Sequence, residues 1–135
     1  MLKSVRSTLF ILVLIAIVSF QSCTYDVLEK EPCTDVIPDS VSFSANILPL
    51  FRANCSLSGC HSGSIPAGSL NLEDSQAYTQ LTQSGTDYIN TATPKISLLY
   101  MQMTSVTEPM PPTGPLDECR INLVLKWIEQ GAKNN

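Results

Sequence analysis

A chain of 135 residues has room for one domain once its ends are set aside. With 12 acidic against 8 basic side chains, a formal charge of −4 and no run of Lys or Arg, it does not suit a nucleic-acid partner, whose phosphates need clustered cations. No acid/base pair, nucleophile constellation or phosphate loop is visible either, so the composition points away from an enzyme working through its side chains.

Lys3 and Arg6 form a short basic region, and residues 9–18 are an unbroken apolar run. Ten residues are too few to span a bilayer comfortably but match the apolar core of a signal peptide, which predicts a leader over residues 1–22. An uncleaved anchor helix is the competing reading. Phe20, Gln21 and Ser22 lead into Cys23, in the manner of a bacterial lipobox, so Cys23 is the candidate lipidation site and mature N-terminus. Ordinary cleavage that leaves Cys23 as a thiol is the alternative. Several acyl chains anchor stably where one would be marginal, which implies an exported protein held at the cell envelope. Losing Lys3 and Arg6 with the leader moves the formal charge from −4 to −6, a balance compatible with a basic redox partner.

Residues 23–40 hold two prolines, scattered acids and no period, and read as a tether; residues 41–135 then form the domain. Phe43, Ile47, Leu50 and Phe51 recur at spacings of three and four, which predicts a helix capped by Ser42 or Ser44, disturbed at Pro49 and ending near Asn54. Residues 62–70 are a Gly/Pro/Ser loop. Asp74 is expected to cap a short helix through Ala77, Tyr78 and Leu81. A loop over 83–95 precedes a helix over 96–103. Four prolines and a glycine between Pro109 and Pro115 demand a stiff loop. A last helix is expected over 116–130, with Leu116, Cys119, Leu123, Val124, Trp127 and Ile128 as its buried stripe and Gly131 as its stop. No strand alternation appears, so the fold class is all-α, with short helices and long loops that need a staple to hold a small core.

The five cysteines are Cys23, Cys33, Cys55, Cys60 and Cys119. Cys55-Ser56-Leu57-Ser58-Gly59-Cys60-His61 places a histidine directly after the second of two nearby cysteines. That order suits covalent haem c: the two sulfurs reach neighbouring vinyl carbons, and the histidine lies beneath the iron as its proximal ligand. Four residues separate the cysteines where two are usual. Ser56, Ser58 and Gly59 are small enough to let the extra length bulge away. The competing readings are a structural zinc site, with Cys33 or Cys119 as fourth ligand, and a plain Cys55–Cys60 disulfide. Zinc is awkward because Cys60 and His61 are adjacent. Cys33 and Cys119 remain, and by elimination they are candidates for a disulfide tying the tether to the last helix, although four cysteines allow three pairings.

His61 is the only histidine, so a second axial ligand must be of another type. Met110, held between prolines, is the first candidate, since a thioether suits haem iron and rigid presentation limits reorganisation. Met101 and Met103 are the others, though on a helix core packing is the ordinary role of methionine.

The segments ILPLFRANCSLSGCHSG, SLNLEDSQAYTQL, PKISLLYMQM and MPPTGPLDECRINLVLKWIEQGA resemble the small cytochrome c domains of exported bacterial proteins, in a subgroup with this wider cysteine spacing. The likeness covers about residues 41–132. It implies a mono-haem fold whose N- and C-terminal helices pack together, with Cys55 and Cys60 as attachments, His61 proximal, Met110 distal and Trp127 in the core. The expected function is electron transfer with redox proteins as partners, with no bond-making chemistry. A haem enzyme or gas sensor with an open sixth position, or a non-haem interaction lipoprotein with paired Cys55 and Cys60, are the alternatives.

Overall fold

The computed structural model describes residues 36–135. The expected leader, Cys23 and Cys33 lie outside the described residues. Within them the chain is helical, with no strand. The elements are a π-helical turn, Phe43–Ile47, running into α1, Leu48–Asn54; then α2, Ala77–Leu81; α3, Leu98–Thr104; and α4, Glu118–Glu129. Short 3₁₀ turns at Ala67–Ser69 and Pro94–Ile96 punctuate the long loops.

The expected first helix is present but divided. Ser42 caps it, its Oγ accepting the Ala45 N–H at 3.2 Å, while Asn46 Oδ1 accepts the Ser42 N–H at 2.8 Å. Pro49 explains the division. With a wide turn ahead of it, the proline falls in the first turn of α1, where no intrahelical N–H is required. Asn135 supplies acceptors for this end, taking the Phe43 N–H at 2.9 Å and the Ser44 N–H at 2.9 Å.

The reading of Asp74 as a cap is corrected. α2 has no side-chain cap; the Gln76 and Ala77 N–H groups bond the Glu73 carbonyl instead, and Asp74 forms an ion pair with Arg52 of α1. The third helix begins two residues later than expected. Ser97, wholly buried and extended, binds its Oγ to the Asn90 backbone rather than joining the helix.

The last helix is shorter than 116–130 because Asp117 caps it, Oδ1 accepting the Arg120 N–H at 2.9 Å. Leu116 therefore sits outside the helix yet is buried, as is Ile121, in the positions of a hydrophobic staple. Ile121 joins Val124, Trp127 and Ile128 in the buried stripe; Cys119 and Leu123 are only partly buried. Gly131, at φ 89°, ends the helix as expected: its N–H bonds the Ile128 carbonyl, and the Ala132 N–H bonds Trp127. Cys119 is disulfide-bonded, and its expected partner Cys33 lies outside the described residues.

One core runs from Val41 to Ala132. At its centre Phe43 meets Trp127 at 5.3 Å, Tyr78 at 5.2 Å and Phe51 at 6.5 Å between ring centroids. The π turn and α3 both pack on α4. α1 leaves this core at Asn54, and the chain goes directly into the cysteine segment.

Candidate functional site

The end of α1 sets the first cysteine. The Cys55 and Ser56 N–H groups both bond the Phe51 carbonyl at 2.8 Å. Residues 56–59 then loop outward and return, since the Cys60 N–H bonds Leu57 at 2.9 Å and the His61 N–H bonds the Cys55 carbonyl at 3.1 Å. Gly59, at φ 78°, makes the return turn possible. The bulge expected from the wide spacing is therefore formed, with Leu57 at its exposed tip.

His61 is clamped on two sides. Its carbonyl accepts the Leu72 N–H at 2.8 Å, and its Nδ1 lies 3.1 Å from the Leu70 carbonyl. A carbonyl can only accept, so Nδ1 carries the proton and, in the neutral ring, Nε2 presents a lone pair. This is the arrangement by which an outer hydrogen bond fixes the tautomer of a metal-ligating histidine. Asn71 holds the clamp in place: buried, it donates to Gly63 and Glu73 and accepts the Glu73 N–H at 2.8 Å.

Cys55, Cys60, His61, Met103 and Met110 all line one largely apolar cavity of about 350 Å³. Loop residues and α3 wall it. Met101, by contrast, is half-exposed and does not line it. Met110 is fastened to α3 by its N–H, which bonds the Gln102 carbonyl at 3.0 Å. Cys55 and Cys60 are free thiols, not a disulfide. Burial above all, and then the neighbouring Cys60, push the Cys55 thiol up to about 11, so it stays protonated at neutral pH. Among the described residues no three His, Cys, Asp or Glu side chains gather as a metal cluster.

Chemically, the cavity joins two thiol sulfurs, one oriented imidazole and two soft thioethers in an apolar setting, with a volume in the range of small-molecule and cofactor sites. Leu70, Tyr88 and Gln102 line it too, and Asn71 braces the histidine clamp beside it; the sequence singled out none of the four. Asn71 had a faint signal, as a polar residue between two leucines. Leu70 had none, because it acts through its backbone. Comparison with protein-family models, curated protein sequences and solved structures finds no match to this chain. No helix among the described residues is long and apolar enough to cross a membrane.

Proposed function

We propose that the chain is an exported c-type cytochrome carrying one covalent haem and relaying electrons at a membrane surface. The observation that carries this reading is the convergence of Cys55, Cys60, His61 and Met110 on one apolar cavity. The residues fit the group. Cys55 and Cys60 offer thiols for two thioethers, His61 an imidazole whose Nε2 the Leu70 carbonyl leaves free to ligate, and Met110 a soft thioether. The packing of the first helical turn on α4 is compatible with a cytochrome c-like fold.

When bound, the haem supplies the one-electron Fe(III)/Fe(II) couple. The residues of the chain do the rest. Cys55 and Cys60 would hold the group, and His61 through Nε2 and Met110 through sulfur would ligate it, a pairing that would raise the reduction potential. Leu70, Leu72 and the α3 leucines exclude water, which keeps reorganisation small. Residues 1–22 act as the leader and Cys23 as the lipidated anchor in this reading, and a basic redox protein is the natural partner.

Expressed beside a haem-attachment system, the mature protein should gain the mass of one haem, with acyl increments reporting separately on Cys23. A denaturing gel stained for peroxidase activity should show a coloured band that vanishes in Cys55→Ser/Cys60→Ser. A colourless band from the parent ends the cytochrome reading and leaves the interaction lipoprotein.

A further inference from the structure

We propose that Gln80 is a positioning residue of this site, acting through the Leu70–Asn71 peptide to set how strongly the His61 ring is held and how well its Nε2 donates to iron. The inference rests on the haem reading above and deepens it.

One peptide unit joins two hydrogen bonds. Its carbonyl, from Leu70, accepts the His61 Nδ1–H at 3.1 Å, and its N–H, from Asn71, donates to Gln80 Oε1. An N–H can only donate, so Gln80 meets Asn71 with its oxygen. That leaves the Gln80 Nε2 for a further bond, to Gln76 Oε1 at 3.1 Å. Gln76 directly precedes α2, and Gln80 lies one helical turn later. Leu70 and Leu72 line the apolar cavity, while Asn71, Gln76 and Gln80 line a separate polar hollow. The relay thus runs from the exposed Gln76 through Gln80 and one backbone amide to the imidazole.

Both amides of the relay are oriented alike, accepting from the histidine side and donating toward Gln76. An amide whose N–H donates carries more negative charge on its own oxygen, so each bond strengthens the next, by about 10–30%. The Leu70 carbonyl therefore pulls harder on Nδ1–H than an isolated carbonyl would, and that raises the basicity of Nε2. A more basic nitrogen favours the higher charge of Fe(III), so the relay acts to lower the reduction potential. Holding the loop is work that other bonds already do. Asn71 Nδ2 donates to Gly63 and Glu73, and the Leu72 N–H donates to the His61 carbonyl.

The test uses the haem-loaded protein at about pH 7, reading the His61 Nδ1–H proton by NMR in the reduced form and the reduction potential by optical titration. Gln80→Leu removes the acceptor. Its Nδ1–H resonance should move upfield, and its ratio of reduced to oxidised form at a fixed potential should rise about threefold, or about 30 mV for one electron. Gln80→Glu, ionised at this pH, is a stronger acceptor and should move both readings the other way. Gln76→Leu, at the outer end, should repeat the Gln80→Leu changes at smaller size, and it carries the test if Gln80→Leu does not fold. Shifts of the same sign in Gln80→Leu and Gln80→Glu mean that Gln80 only props the loop, and overturn the inference. A moved potential in Gln80→Glu with an unmoved Nδ1–H resonance assigns the effect to charge acting through space and overturns it as well. Unchanged readings in every variant, with haem attached, overturn this inference alone. A parent without covalent haem overturns both this inference and the proposed function.

Discussion

At the scale of single residues, the two methionines in the cavity are held in different ways, and this separates their roles. Met103 is 3 % exposed within α3 and belongs to the core, whereas Met110 is only partly buried, on a loop braced by prolines. In the haem-loaded protein Met110→Ala should lose the long-wavelength methionine–iron band and lower the reduction potential. Met103→Leu should keep the band and cost less than about 1.5 kcal/mol, as a swap of similar volume. An absorption spectrum of each variant decides the matter, and loss of the band from Met103→Leu alone would move the distal role to α3. The sequence singled out Cys55, Cys60, His61 and Met110 by residue type, and all four line one cavity. It could not reveal the Leu70 carbonyl that orients His61, because every residue has a carbonyl.

At the scale of elements, what was legible was local. The start of α4, its buried stripe and its glycine stop all lie within a few residues of one another, and each is found near its expected place. Asp74 fails for the opposite reason. Its sequence neighbours suggest a cap, but Arg52, twenty-two residues earlier, competes for the carboxylate, and that pairing exists only once the chain has folded. The late start of α3 has the same origin in the bond between Ser97 and Asn90. The cap of α4 gives a direct check. Asp117→Ala removes the acceptor of the Arg120 N–H and the Arg120 ion pair, and the cap should account for about 1 kcal/mol. The exposed ion pair adds little to that. Urea unfolding should show a lower midpoint at unchanged slope; an unmoved midpoint would mean that staple and stripe hold the helix without the cap.

For the whole molecule, the division of labour is between a compact aromatic core and a cavity built from loops. The core joins the two ends of the domain: Trp127 packs on Phe43, its Nε1–H donates to the Lys133 carbonyl at 3.0 Å, and the Tyr78 hydroxyl donates to Ala132 at 3.1 Å. The cavity shares walls with that core at Leu70, Leu72 and Met103, but Trp127 does not line it. Damage at Trp127 should therefore appear in stability and not in the site. Trp127→Phe keeps an aromatic ring beside Phe43, but it withdraws the donor from Lys133 and leaves a gap in a fully buried position. The expected cost is about 1–3 kcal/mol, a large share of what holds a domain of this size. In the haem-loaded protein, thermal unfolding should shift down by that amount, while the visible spectrum at room temperature stays that of the parent. If the spectrum changes with the stability, core and cavity are one cooperative unit, and the rigidity of the distal loop depends on α4 as well as on its prolines.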